Sequence, residues 1–307
     1  MARRKKGNPV HGWLILDKPL GATSTQALGA VKRIYEAQKA GHAGTLDPLA
    51  TGILPIAFGE ATKTVSFAVD GEKAYRFTVR WGEETNTDDA EGEVTQRSDK
   101  RAARGDIEAI VPEFTGEILQ RPPSFSAIKV EGNRAYDLAR DGEVFELEPR
   151  LVVIDQLRLV DTPDPHTAVF EAECGKGTYV RALARDIGRR LGCFGHVIAL
   201  RRTRVGPFHE EDAVTLDELR EAAAPENGGD IGQFLLPVET ALADLQELAV
   251  SQQDASNLAM GRAILVRGRD APIMSGPIFA TFKGRLVALG EIEKGALHPT
   301  RVFNLAG

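Results

Sequence analysis

No apolar run in this chain of 307 residues approaches the roughly 20 needed to cross a bilayer as a helix. The N-terminus, MARRKKGNPVHGWLILDKP, is basic but lacks a continuous apolar segment of about 7–15 residues, so it does not read as a secretory signal. Cysteine is scarce. The two present, Cys174 and Cys193, lie in a chain too large to need a disulfide staple, and reduced thiols in the cytoplasm are expected. Metal motifs are absent as well. The six histidines are scattered, with no HExxH and no paired CxxC, and the lone C-x-x-H of Cys193 and His196 falls short of the four ligands a zinc site needs. CGKGTYV carries Gly175 and Gly177 without the third glycine of a dinucleotide fingerprint, and no Walker A pattern occurs. No metal, cofactor or membrane is therefore expected.

What is there is ordinary in sum and polarised in detail. Hydrophobic residues make up 42% and charged residues 27%, which suits a soluble chain of one large or two smaller domains. The net charge of -6 argues by itself against a nucleic-acid partner. Its distribution argues the other way. Residues 1–65 carry nine Lys or Arg against four acids, residues 174–207 eight against one, and residues 208–256 one against twelve. Such a chain can present a basic face although its total is acidic. On this map the two basic segments, with Arg201, Arg202 and Arg204, are the expected phosphate contacts.

Residues 1–10 lack periodicity and read as a basic arm. WLILDKP reads as a strand ending at Pro19, after which Thr23 or Ser24 can cap a helix with Leu28, Val31, Ile34 and Tyr35 on one face. EATKTVSFAV suggests a short helix and EKAYRFTVRWG an alternating strand. DIEAIVPEF reads as helical, PSFSAIKV as extended and NRAYDLARDG as helical. LVVIDQLRLV and TAVFEAEC form two strands of a hairpin or meander. TYVRALARDIGRRLG is the clearest helix: Thr178 can cap it, Val180, Leu183, Ala184, Ile187 and Leu191 form its apolar stripe, and Arg181, Arg185 and Arg189 lie on another face. HVIALRRTRVGPF returns as a strand. Because strands and helices mix without regular alternation, the expected fold is α+β with a mixed, largely antiparallel sheet. A loop near residues 222–232 marks off a large domain, 1–240, from a small β-rich module, 241–307, with TALADLQEL helical and short strands in AILVRG, PIFATFKGRLVALGEI and RVFNL.

The stretch GHAGTLDPLATGILP, residues 41–55, places one carboxylate, Asp47, among small and apolar residues. Gly41, Gly44 and Gly52 allow sharp turns and close approach, and Pro48 keeps Asp47 away from helical angles. Read alone, the stretch admits two roles for Asp47: closing an Asx turn or presenting a reagent on a stiff loop.

With DKPLGATS before it and GEATK after it, this stretch resembles the signature of the TruB family of tRNA pseudouridine synthases. The resemblance continues through EKAYRF, GEETNTDDAEGEV, RPPSFSAIKVEGNRAYDLAR, GKGTYVRALARDIG and LRRTRVGPF, several motifs in order over residues 11–210. It implies a pseudouridine synthase catalytic domain with a small PUA-like C-terminal module. The implied enzyme is an isomerase that converts uridine to pseudouridine at position 55 in the T loop of tRNA, flipping the target nucleotide out, in the cytoplasm, as a monomer and without cofactor. The resemblance makes Asp47 the essential carboxylate, as nucleophile or as base. It makes Tyr75 the aromatic that stacks on the target base and Arg181 the partner of Asp47. Tyr179 and Leu200 line the base pocket, and His42 wedges into the T loop. Lys18, Lys63 and Lys129 lie within matched motifs, to meet phosphates or shape the site. A binding protein with incidental isomerase activity and a nucleoside hydrolase are the rival readings.

Overall fold

The computed structural model describes residues 7–126, 128–130, 133–134, 147–227, 229–266 and 275–305. Its body is a ten-stranded mixed sheet. The main path runs in the order 213–214, 12–18, 50–58, 195–205, 73–81, 167–174, 150–164 and 116–120, with 40–42 paired to 50–58 and 208–209 paired to 195–205. Two pairings are parallel, Gly12–Lys18 with Ala213–Val214 and Gly195–Val205 with Ala50–Phe58. The others are antiparallel.

The unbroken apolar run WLIL has a simple cause: both faces of its strand are covered. Leu14 and Leu16 face a core completed by Leu54, Ile56, Phe77, Phe170, Leu183 and Ile187, beneath the helices Ser24–Ile34 and Val180–Leu191. Trp13 and Ile15 face the opposite way, toward Ile53, Ala57 and Phe208. Each such side chain, fully withdrawn from water, contributes about 1.5–3 kcal/mol to the hydrophobic drive. Helix 24–34 starts as its sequence dictates: the Thr23 hydroxyl accepts from the Gln26 N–H and the Gln26 side chain closes the capping box.

The C-terminal strands form a second sheet of five, 246–249, 276–282, 285–293, 296–302 and 264–265 in that order. This small sheet is fused to the body. Phe279, Leu286, Leu289 and Phe303 join the same apolar cluster as Trp13 and Phe208, whereas Ile278, Ala280, Ala288 and Leu297 face a separate small core with Leu258.

Several expectations need correction. TALADLQEL is a 3₁₀ turn, Val238–Leu242, followed by the strand Gln246–Ala249, and the helix of this region lies further on, at Gln252–Ala259 behind its Ser251 cap. Thr178 does not cap the central helix; the capping position is Tyr179, whose side chain makes no cap bond. Within the basic arm, Asn8 is tied by backbone hydrogen bonds to Glu36 and Gln38, while residues 1–6 lie outside the described residues. PSFSAIKV is bent, with a two-residue strand at Lys129–Val130 paired to Asn133–Arg134. The rest of the helix expected in NRAYDLARDG lies outside the described residues.

Helix 180–191 sits directly on the strand that follows it. A Cβ on Gly188 would stand 2.5 Å from the Gly195 nitrogen and 2.6 Å from the Phe194 carbonyl carbon. No L side chain fits there without moving backbone. Gly188→Ala is therefore expected to lower the unfolding free energy by about 1–3 kcal/mol, the usual cost of overpacking, as read from urea denaturation; an unchanged midpoint would mean the helix can slide on the strand.

Candidate active site

The loop that carries Asp47 joins strand Ala40–His42 to strand Ala50–Phe58. Its flanks are tied down. The buried Ser24 hydroxyl donates to the Leu46 carbonyl at 3.0 Å and accepts from the Leu46 N–H at 2.8 Å. The Lys18 ammonium, fully buried, donates to the carbonyls of Ala22 at 2.7 Å, Pro19 at 3.0 Å and Pro48 at 3.5 Å. Burial lowers the pKa of this lysine. Lys18 thus shapes the loop from below, and no surface is left on it for a phosphate.

Between these anchors the Asp47 carboxylate is 41% exposed, and its Oδ2 lies 2.9 Å from the Nε of Arg181, which is 7% exposed. Both terminal nitrogens of Arg181 are also engaged: Nη1 donates to the Thr87 carbonyl at 2.7 Å and Nη2 to the Phe125 carbonyl at 2.8 Å. A second carboxylate, Asp89, approaches Nη1 at 3.5 Å. Sequence spacing did not reveal it, because Asp89 reaches the site only through the folding of the 84–91 segment. That segment is gripped by the helix arginines in succession. Arg185 meets Asp88 at 2.8 Å, and Arg189 meets Glu84 at 2.7 Å on both carboxylate oxygens.

Asp47 and Arg181 open into a cavity of about 530 Å³, lined also by Lys73, Tyr75, Tyr179, Leu200 and Arg202. Tyr179 is placed by the buried Gln120, which accepts from its N–H at 2.8 Å and donates to its carbonyl at 3.1 Å. Tyr75 and Leu200 come from neighbouring antiparallel strands. Burial raises the pKa of both tyrosines, and the Arg202 guanidinium opposes the rise at Tyr75. Lys73 is buried beside them with its pKa lowered by desolvation, and it donates to the carbonyls of Val69 and Gly71.

The other sequence candidates lie elsewhere. His42 is half-buried on its strand and outside the cavity lining; its buried Nδ1 has no hydrogen-bond partner among the described residues, and burial lowers its pKa. Lys63 is bound to Glu60 at 2.6 Å and to the Val302 carbonyl at 2.7 Å, with its ammonium over the Phe303 ring. It stitches the C-terminal end to the body and does not line the cavity. For Lys129 the strand position alone is described. Cys193 and His196 have backbone partners, the carbonyls of Gly188 and Glu83.

The charge map also changes meaning in three dimensions. Each of the eight cations in 174–207 is either ion-paired or buried. Lys176 pairs with Asp70, Arg190 with Glu113, Arg201 with Asp17 and Glu210, and Arg204 with Glu72 and Glu173. Arg202 is 2% exposed. The local excess of positive charge is balanced by acids from distant segments, so this stretch is not a free basic face, and Arg202 cannot meet a phosphate at the surface.

The sequence pattern described as "TruB family pseudouridylate synthase (N terminal domain)" matches residues 32–180, and that of the "tRNA pseudouridylate synthase B C-terminal domain" matches residues 181–243. The chain is 59% identical to a tRNA pseudouridine synthase B of Bradyrhizobium diazoefficiens, covering 100% of this chain and 91% of the relative. It is 54% identical to the corresponding protein of Chelativorans sp., covering 99% and 100%. Among solved structures, a chain of a Cbf5–Nop10–Gar1 complex superposes with a TM-score of 0.75 at 27% identity, over 96% of this chain and 85% of the other.

Asp88 shows what the arginine ladder does energetically. Burial pushes its carboxyl up to about 6, with Arg185 pulling the other way. A folded-state pKa above the ordinary value means that stability from this group is present below about pH 4 and is lost as pH rises through 6. Arg185→Met removes the opposing cation, so the variant is expected to lose about 3–5 kcal/mol at neutral pH, the cost of a buried charge left alone. That deficit should shrink as the pH is lowered and Asp88 takes up a proton. Urea unfolding at pH 5 and pH 8 reads both terms; an equal deficit at the two values would exclude Asp88 as its cause.

Proposed function

Since the chain belongs to the TruB family of pseudouridylate synthases and isomerises uridine to pseudouridine in tRNA, we propose that its target is the uridine at position 55 of the T loop, with Asp47 as the essential carboxylate. The observation that carries this reading is the half-exposed Asp47 carboxylate held at 2.9 Å by the buried Arg181 at the mouth of a cavity lined by Tyr75, Tyr179 and Leu200. A cavity of about 530 Å³ suits one extruded nucleotide.

The isomerisation breaks the N1–C1′ bond, turns the base, forms a C5–C1′ bond, removes the proton from C5 and adds one at N1. It is balanced without oxidant, reductant or metal. Asp47 serves as nucleophile toward the sugar or the base, or as the base that takes a ribose proton. The Arg181 guanidinium aims the carboxylate through a charge-assisted hydrogen bond. Tyr75 stacks on the base and takes part in proton transfer at C5, Tyr179 and Leu200 hold the ring, and His42 enters the T loop to help expose the uridine. Residues 1–240 form the catalytic domain, and residues 241–307 form a module that reaches toward the acceptor stem, acting as a monomer in the cytoplasm. Among the described residues no helix is long and apolar enough to cross a membrane.

Asp47→Asn keeps shape and turn capacity and is expected to abolish pseudouridine formation in a T-arm minihelix while leaving the fold intact. Turnover of a few per cent, shown to be the variant's own, would remove Asp47 from the chemistry. The same assay separates the rivals, since a nucleoside hydrolase releases free uracil and a binding protein does not need Asp47. Tyr75→Leu is expected to lose stacking worth roughly 1–3 kcal/mol, whereas Tyr75→Phe keeps the stacking and loses the proton-transfer step. Wild-type behaviour of both variants would reduce Tyr75 to packing. Arg181→Met is expected to depress turnover far more than RNA affinity, and Arg181→Lys to recover part of it, since lysine lacks the planar fork; equal losses in both quantities would make Arg181 an RNA contact.

A further inference from the structure

We infer that Arg202 is a positioning residue for the isomerisation: a buried guanidinium that joins the loop carrying Asp47 to the phenol of Tyr75 and aims both into one cavity. The inference rests on the assignment of Asp47 and Tyr75 to the chemistry.

Arg202 sits in strand 195–205, between the strand that follows the Asp47 loop and the strand that bears Tyr75. In register it faces Gly52 on one side and Tyr75 on the other. The fit on the first side is close. Gly52 has φ of 92°, and a Cβ there would stand 2.2 Å from the Arg202 carbonyl oxygen. From this position the side chain turns toward the loop: Nε donates to the Ile53 carbonyl at 2.8 Å and Nη2 to the Gly44 carbonyl at 3.0 Å, one on each flank of Asp47. Tyr75 is its directly opposed cross-strand neighbour, and the two side chains line the same cavity.

The electrostatics are unusual for so buried a cation. Arg202 is 2% exposed, yet among the described residues no carboxylate pairs with it. A buried arginine is normally matched by an acid, because an uncompensated charge in the interior costs several kcal/mol. Here the Ile53 and Gly44 carbonyl dipoles take that place, with the Tyr75 phenol beside them. A guanidinium has donors only, so toward it the phenol can offer its oxygen and not its proton. Arg202 also lowers the Tyr75 pKa against the effect of burial. One planar group therefore fixes the backbone around the carboxylate and the direction and acidity of the tyrosine.

A double-mutant cycle tests this. Arg202→Met and Arg202→Lys are made alone and with Tyr75→Phe, and single-turnover rates and Kd are measured on a T-arm RNA, with thermal unfolding as the fold control. Arg202→Met is expected to slow the reaction by roughly 100-fold, the low end of what a positioned proton-transfer group contributes, with Kd within about threefold of wild type. In the Tyr75→Phe background the same change should cost only about tenfold, because the service to the phenol is gone and the bracing of the Asp47 loop remains. The limb of the pH–rate profile set by the phenol should move to higher pH in Arg202→Met and stay in place in Arg202→Lys, which keeps the charge. If the Met variant does not fold, Arg202→Gln carries the cycle, since its amide can still donate to a loop carbonyl while the charge beside the phenol is lost. Losses that multiply in full, with the pH limb unmoved, would make Arg202 a brace for the loop alone and overturn the link to Tyr75. A fall in affinity that matches the fall in rate would overturn it as well. A wild-type rate in Tyr75→Phe alone would instead bring down the assignment of Tyr75 on which the inference stands.

Discussion

A guanidinium almost withdrawn from water must find its partners inside the fold, and Arg181 finds one in Asp47 and the others in two backbone carbonyls. Most of the architecture around the site follows from meeting that demand. Helix 180–191 has to lie close enough to the sheet to bring Arg181 under the loop, which is why Gly188 tolerates no side chain against Gly195. The 84–91 segment has to fold back over the helix to offer the Thr87 carbonyl and Asp89, and Arg185 and Arg189 hold it there through Asp88 and Glu84. Helix, sheet and segment are thus joined through one row of charges that ends at the carboxylate.

The parts of this arrangement that depend on local rules were legible in the sequence. The Thr23 capping box, the strand that stops before Pro19, the hairpin of 150–164 and 167–174 and the apolar stripe of helix 180–191 all follow from periodicity and capping chemistry. What depends on distant partners was not. Arg185 and Arg202 read as members of a basic stretch because their countercharges and carbonyls lie many residues away, and only the family resemblance, not spacing, pointed from Arg181 to Asp47. Lys18 read as either a phosphate contact or a residue that shapes the site, since nothing in DKPLGATS announces that it is fully buried with four residues of chain curled around its ammonium. TALADLQEL has helical composition, but pairing with strand 276–282 draws its second half into a strand, a case of tertiary context overriding propensity.

The C-terminal sheet illustrates how a module is attached without a broad polar interface. Phe279, Leu286, Leu289 and Phe303 extend a core that the main sheet has already begun with Trp13 and Phe208. At the seam Lys63 holds the Val302 carbonyl, and Glu60 accepts from the Asn304 N–H. Strand 276–282 alternates between this shared core and its own, so the module's orientation is set by the same period-two pattern that forms its sheet.

The tethering of the Asp47 loop by Ser24 and Lys18 has a consequence for how an RNA is chosen. On the proposed assignment of Asp47 the reactive segment is already fastened and does not adapt to its partner, so the deformation that brings the two together falls on the nucleic acid. Opening a structured loop costs a few kcal/mol of stacking and pairing, and that cost is a property of the RNA alone. Two RNAs with identical nucleotides around the uridine then differ as substrates by how easily each loop opens, with about tenfold in rate for every 1.4 kcal/mol. Selection by such an enzyme is in part a measurement of mechanical compliance, made by a rigid probe on a flexible molecule.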